Sequence, residues 1–515
     1  MEAARTSRSK ADNSYLIRRQ FLSAGLVGLS LKGERSITGA FVDGSHVAGH
    51  KLRDHVGRFA APSRLLKSSV VIVGGGMAGL SAAWRLEKKG FRDFVILEME
   101  AGAGGNSRWG ENEVSAYPWA AHYVPVPRKS AALVRELMEE FGVLRDGVWE
   151  ERHLCHSPQE RLFLHGRWQD GLEPEVGVKA EDRSEYKRFN DRMREFASSG
   201  EFHIPMEQGA RRRADLDRLN MQEWMRQERF ASPYLHWLVD YSCRDDFGSH
   251  ARDTSAWAGI HYFASRGPSE DKGPLTWPEG NGWIAKRLLA KLSGFVRTGS
   301  FVHKIAREAN RWRVSAGTVE YLAEAVIFAA PTYLASYVIE GSPRADGFQY
   351  SPWLTANLTL DHWPREKRIE PAWDNVIYGS AGLGYVVATH QSLRTRIDRT
   401  VWTYYWALAD GAPAEQRRAL LAKDWGWWKE AILTDLSRPH PDIRSCVKHM
   451  DMMRMGHAMI RPAPGFLFST ERKRWLTPQR NLFFANSDLS GLSLFEEAQY
   501  RGVRAADGVL RVVGG

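Results

Sequence analysis

Two unbroken apolar runs, Val70-Val71-Ile72-Val73 and Phe94-Val95-Ile96-Leu97, flank a stretch with helical spacing, Leu80 to Lys89. Short apolar runs bounded by glycine and polar residues read as strands buried on both faces, the habit of parallel sheets. The order strand, helix, strand predicts a βαβ unit. A further run, Ala325-Val326-Ile327-Phe328, reads as an apolar strand ending at Pro331, and Val296 to Ile305 reads as a strand with Val302 near its end. The alternation over Trp353–Leu360 predicts another strand, and the charged stretches 180–198 and 209–229 predict helices. No stretch past the N-terminal region reaches 18 apolar residues, so no stable membrane span is expected.

What joins the first strand to the first helix carries the chemistry. Gly74-Gly75-Gly76-Met77-Ala78-Gly79 follows the strand directly, and Glu98 closes the second strand 19 residues after Gly79. This is a dinucleotide-binding fingerprint in its required context. Gly74 permits the tight turn, Gly76 lets the backbone approach a pyrophosphate, and Gly79 lets the helix pack on the strand. The helix N-terminus offers free N–H groups and positive dipole to the phosphates, and Glu98 accepts from the ribose hydroxyls. A redox cofactor with an ADP half is expected; the alternative is a glycine-rich turn without a ligand.

Length and composition narrow the class. A chain of 515 residues predicts two or three packed units. Twenty Trp and twenty-two Phe point to aromatic-rich packing or an aromatic-lined pocket. Of the net charge of +10, residues 1–35 hold +4, from seven Lys/Arg and three acids, and the rest is spread. No basic stripe with interleaved aromatics exists, so nucleic acid is not an expected partner. Three distant cysteines, Cys155, Cys243 and Cys446, lack C-x-x-C spacing, which argues against a disulfide scaffold, a zinc site or an iron–sulfur cluster.

The N-terminus reads as an address. Arg18-Arg19-Gln20-Phe21-Leu22 resembles the twin-arginine export motif, and the mildly apolar segment 21–31 is too short to span a bilayer. That route exports folded proteins, which suits a tightly held dinucleotide. The expectation is an exported or periplasmic protein using the twin-arginine machinery, with Ala40 a possible cleavage site; the alternative is a cytoplasmic protein with a basic extension.

After Glu98 the chain reads Met99-Glu100-Ala101-Gly102-Ala103-Gly104-Gly105-Asn106-Ser107-Arg108. An acid followed six residues later by Gly-Gly resembles the flavin-containing amine oxidase and phytoene desaturase superfamily. The likeness returns in Trp277-Pro278-Glu279-Gly280-Asn281-Gly282-Trp283, in Ala325–Pro331, and in Asn481-Leu482-Phe483-Phe484-Ala485-Asn486-Ser487-Asp488, which resembles the family's closing strand. The resemblance implies FAD as cofactor and an α/β fold: a bipartite Rossmann-type FAD-binding domain with an inserted α+β substrate domain. It divides the chain into a leader, 1–40; a linker, 41–65; a discontinuous FAD-binding domain, 66–135, 277–345 and 475–515; and a substrate domain, 136–276 and 346–474. It implies that Gly74, Gly76, Met77, Ala78, Gly79, Glu98, Gly104, Gly105, Arg108, Val302, Asp488, Glu497 and Ala498 touch the cofactor. Arg108 stands in for the family's arginine, which Asn106 replaces. Val302 would lie on the adenine side, and Asp488 on the ribityl chain. A helix opening near Glu496-Glu497-Ala498 would aim its N-terminus at the flavin.

For the reaction the likeness implies hydride transfer from a small or medium organic substrate to flavin N5. His122 and Tyr123, in Tyr117-Pro118-Trp119-Ala120-Ala121-His122-Tyr123, are the candidates for the ring's neighbours. Two family features are missing: Asn357 stands where a lysine is expected, and Leu494-Phe495 replaces a cage tyrosine. The paired acids Asp245 and Asp246, in Tyr241–Gly248, would bind a cationic amine or pair with arginine. No metal-ligand spacing is present. The alternatives are a desaturase or isomerase of an isoprenoid-like lipid, a flavin-bearing protein without turnover, and an NAD(P) dehydrogenase.

Overall fold

The apolar runs become a parallel sheet in a mixed α/β fold. The computed structural model describes residues 36–513 apart from 44, 56–58, 60, 210–212, 267–272, 367–369 and 395; the Arg18-Arg19 motif lies outside the described residues. In chain order the sheet and its helices comprise β1 (Val70–Val73), α1 (Met77–Lys88), β2 (Phe94–Leu97), β3 (Val296–Arg297), β4 (Ala325–Phe328), β5 (Leu482–Phe484) and α2 (Phe495–Val513). The five strands lie in the order β3-β2-β1-β4-β5, all parallel. Every residue of β1, β2 and β4 is buried, as a sheet covered on both faces demands. Segments more than 380 residues apart in sequence thus meet in one layer, with Phe484 beside Phe328 and Phe328 beside Val73.

Helix packing tightens that meeting. A Cβ on Gly79 would lie 1.9 Å from the Gly74 carbonyl oxygen, and one on Gly502 would lie 2.1 Å from the Ala78 carbonyl oxygen. Only glycine lets α1 sit on β1 and α2 cross α1 at these separations.

A second, seven-stranded sheet carries the other half of the molecule. Its order is Arg167–Asp170, Glu160–Leu164, Asp374–Ile377, Gly384–Val387, Thr400–Ala407, Tyr350–Leu360 and Val447–Ile460. The strand expected from Trp353 to Leu360 is its long inner member. Residues Thr38 and Phe41 bridge to His449 and Met452 on the edge strand, and the buried Asp43 carboxylate meets Arg454 at 3.1 Å. Among the described residues no helix is long and apolar enough to cross a membrane.

Three local expectations need correction. Residues 296–305 form two strands, not one. Gly299 takes φ 64°, and its N–H and that of Ser300 donate to the carbonyls of Glu100 and Glu98. The chain turns there, so Val302 opens a strand (Val302–Glu308) of a separate four-stranded sheet. Among the described residues of 209–229 the α-helix is confined to Met221–Gln227, after a 3-10 turn at Ala214–Arg218, and the extended Asn220 caps it by accepting from the Glu223 N–H. The first helix begins at Met77, three residues before the expected Leu80.

Candidate active site

The glycine-rich turn forms a crease at the C-terminal edge of the parallel sheet. Helix α1 starts at Met77 with Gly76 as an N-cap that makes no side-chain hydrogen bond. The first-turn N–H groups of Met77, Ala78 and Gly79 therefore have no acceptor within the helix. A Cβ on Gly76 would meet nothing closer than the Gly105 Cα at 3.8 Å, so the space above it is open. Gly104 lies across the crease, its N–H donating to the Gly75 carbonyl at 2.8 Å. Gly105 faces Gly76, and Arg108 folds back with Nε on the Gly105 carbonyl at 3.2 Å.

Glu98 anchors one end of this crease. It is buried and accepts from the Gly75 N–H at 2.7 Å and the Glu100 N–H at 2.8 Å. Burial pushes its pKa up, against those two bonds. Ser300, two residues before Val302, ties that strand's start to the Glu98 carbonyl at 2.8 Å. At the other end Asn486 Nδ2 donates to the Ala329 carbonyl at 3.3 Å. Asp488 is buried and saturated: it accepts from the Thr332 N–H at 2.7 Å, the Thr332 hydroxyl at 2.8 Å and the Tyr350 hydroxyl at 2.5 Å. Glu497 accepts from the Met206 N–H at 2.5 Å, and the Ala498 N–H donates to the Leu494 carbonyl at 3.1 Å. The side chain of Asp488 and one carboxylate oxygen of Glu497 are thus committed to the protein. The structure brings the glycine turn, Glu98, Gly104, Gly105 and Arg108 together directly, and Val302, Asp488, Glu497 and Ala498 to the elements that frame them.

Past the crease lies a half-open chamber of about 940 Å³. His122 and Tyr123 form part of its wall. Their segment is held by pairing of Tyr123 with Thr276, by the Thr276 hydroxyl on the His122 carbonyl and by Asn281 Nδ2 on the Tyr123 carbonyl. The His122 ring stacks on Tyr405 at 4.7 Å, and burial lowers its pKa to about 4, so it is neutral at physiological pH.

The remaining wall carries charge of both signs, with Arg128, Lys129, Arg135 and Arg266 beside a cluster of acids. Glu160, Asp245, Asp374 and Glu496 all line the chamber. Glu160 and Asp374 are register partners on adjacent parallel strands, which sets their side chains on one face. Asp245 comes from the helix Pro233–Phe247, and Glu496 from the first turn of α2. Glu160 keeps an accessible surface although protein encloses it, because that surface faces the chamber. Burial is the leading cause of the upward shift in all four carboxyls. Asp245, beside Asp246, is pushed up to about 7, and Glu496 also to about 7. Asp246 is neutralised by Arg266 at 2.6 Å. The expected choice between amine binding and arginine pairing for Asp245 and Asp246 is divided: Asp246 pairs, while Asp245 lines the chamber. Asn357 is tied to the Pro118 carbonyl and the Thr403 hydroxyl. Among the described residues no group of side chains fit to hold a metal ion occurs, and the three cysteines are buried free thiols.

Sequence reasoning missed Glu160 and Asp374. No local motif marks them, since strand pairing alone brings them to Asp245.

A nucleotide crease opening beside an aromatic chamber with clustered carboxyls belongs to a dinucleotide-dependent oxidoreductase. Residues 77–510 match the flavin containing amine oxidoreductase family, and the chain belongs to that family; its cofactor is FAD, and it is a FAD-dependent oxidoreductase. Similar solved structures include a putrescine oxidase bound to putrescine (17% identical, 87% of this chain and 100% of that one, TM-score 0.67). Another is cyclohexylamine oxidase from Brevibacterium oxydans IH-35A (14% identical, 87% and 100%, TM-score 0.64). At such identities the likeness concerns the fold. A Baeyer-Villiger monooxygenase from Penicillium patulum is 50% identical over 104 residues, which are 20% of this chain and 15% of that protein's length.

Proposed function

We propose that this protein oxidises a small or medium organic amine by hydride transfer to FAD. The observation that carries the reading is the cluster of carboxyls Glu160, Asp245 and Asp374 in the same chamber wall as His122 and Tyr123. Of the cations in the lining, Arg266 is paired with Asp246, and no ion pair joins Glu160, Asp245 or Asp374 among the described residues, so three clustered carboxyls favour a bound cation. An ammonium group supplies that charge, and the aromatic rings supply its apolar flank.

In this reading FAD lies in a bipartite Rossmann-type site. The first-turn N–H groups of Met77, Ala78 and Gly79, with Gly74, Gly76, Gly104, Gly105 and Arg108, hold the pyrophosphate. Glu98 takes the ribose hydroxyls and Val302 the adenine side. Asp488, through Thr332, and the first turn of α2 with Glu497 and Ala498 frame the flavin end. The open space above Gly76 and the uncapped helix fit such a group. Bound there, FAD supplies the hydride acceptor. The chain's own residues orient the substrate, exclude water and take up the ammonium proton, for which Asp245 and Glu496, both near 7, are poised. Hydride transfer needs the neutral amine, so binding as a cation and reacting as a base requires such an acceptor.

The division into a discontinuous FAD-binding domain and a substrate domain, and export by the twin-arginine route, belong to this proposal. The desaturase or isomerase reading would call for a long apolar tunnel, and the charged wall speaks against it. The test is anaerobic mixing of purified holoenzyme with alkylamines and with polyenes, reading flavin bleaching. Amines should bleach it and polyenes should not; the reverse would refute the proposal.

A further inference from the structure

A second cavity, of about 820 Å³, is bounded among others by Arg252, Tyr333, Tyr350, Arg417, His457 and Arg461. It shares no lining residue with the first chamber or the glycine crease. Three arginines, Arg252, Arg417 and Arg461, line it against two acids, Asp253 and Asp346. Arg461 is 5% exposed; its Nε donates to the Ser351 hydroxyl at 2.6 Å and one terminal nitrogen to the Gly248 carbonyl at 3.4 Å. Arg417, on the helix Pro413–Ala422, donates to the Tyr350 carbonyl at 3.2 Å. Among the described residues neither guanidinium has an ion-pair partner.

The acids at the rim are already beside other arginines: Asp253 lies 3.5 Å from Arg252 and Asp346 lies 3.0 Å from Arg344. Burial lowers the pKa of both Arg417 and Arg461, opposed by Asp253 at Arg461 and by Tyr333 at Arg417, with nearby arginines adding to the lowering. His457, stacked on Tyr333 at 4.3 Å, is driven down to about 3 by burial and by Arg417, so it stays neutral and adds a flat wall. Two guanidiniums without an ion-pair partner among the described residues therefore line one open cleft, each with free donors in a planar fork.

We infer that this second cavity binds a doubly charged oxyanion, a phosphate group or a dicarboxylate, through Arg417 and Arg461. The site stands independently of the proposed amine oxidation. It is tested on the FAD-loaded holoenzyme, so that the pyrophosphate crease is filled, by calorimetric titration with inorganic phosphate and separately with succinate. Sodium chloride holds the ionic strength constant. Saturable binding of either is expected, the tighter one naming the chemistry. R417Q, on a half-buried helix position, should weaken it at least tenfold while flavin content and flavin reduction stay unchanged. A tungstate soak should place density between Arg417 and Arg461. No binding of either anion, equal affinity in R417Q, or release of flavin by phosphate would each overturn the inference.

Discussion

Adding one methyl group at Gly76 should separate cofactor binding from folding, and adding it at Gly79 should not. At Gly76 φ is −74°, an ordinary value for alanine, and the new Cβ lies 3.8 Å from its nearest protein atom, the Gly105 Cα. The apoprotein should lose about 1 kcal/mol or less, since this N-cap makes no side-chain bond to begin with. The methyl points into the space proposed for the pyrophosphate. Losing FAD removes the stabilisation that ligand binding confers, about 4 kcal/mol at a free concentration roughly a thousandfold above Kd. At Gly79 the Cβ would sit 1.9 Å from the Gly74 oxygen. Reaching van der Waals contact would need a shift of well over an ångström between α1 and β1, with an overpacking cost of about 3 kcal/mol or more. The assay is thermal unfolding of both apoproteins together with the flavin-to-protein absorbance ratio after saturation with FAD. Gly76→Ala should melt near the wild-type apoprotein yet carry no flavin, while Gly79→Ala should melt early or fail to accumulate. Stoichiometric flavin in Gly76→Ala would refute the placement of the cofactor.

Other outcomes follow from the same geometry. Glu98→Ala should weaken FAD binding about tenfold or more without changing the absorbance of the flavin that remains, as titration of the apoprotein will show. Asp245→Asn should raise KM for an amine more than it lowers kcat, and should move the acidic limb of the kcat/KM profile, which the wild type should show near pH 7. Glu496 has a folded pKa of about 7 against an ordinary 4.5. The unfolded chain therefore releases this proton first, and stability falls as pH rises from about 4.5 to about 7, then levels. Glu496→Gln should match wild type at pH 4 and exceed it at pH 8 by on the order of 3 kcal/mol, read by denaturant unfolding of the apoprotein.

Much of the fold was legible because its signals are local. The runs 70–73, 94–97 and 325–328 are buried on both faces and declare themselves by unbroken apolarity, and the glycines at 74, 76 and 79 sit where the turn and the helix contact demand them. The break at Gly299 was not legible, because hydrogen bonds to Glu98 and Glu100, some 200 residues earlier, decide it. The carboxyl cluster was half visible. Asp245 stands out within its helix, but Glu160 and Asp374 gain meaning only from the pairing of two short strands more than 200 residues apart. The commitment of Asp488 to Thr332 and Tyr350 is likewise a tertiary fact.

The central claim is that carboxyls from three distant segments and two aromatic residues form one amine-binding chamber beside FAD. Anaerobic stopped-flow reduction of the holoenzyme by a series of primary and secondary alkylamines tests it most directly. Saturable bleaching of the flavin is expected, with the apparent Kd for the amine rising at least tenfold in the Glu160→Gln/Asp374→Asn double variant at unchanged flavin content. Bleaching that is indifferent to these two carboxyls, or a flavin that no amine reduces, would contradict it.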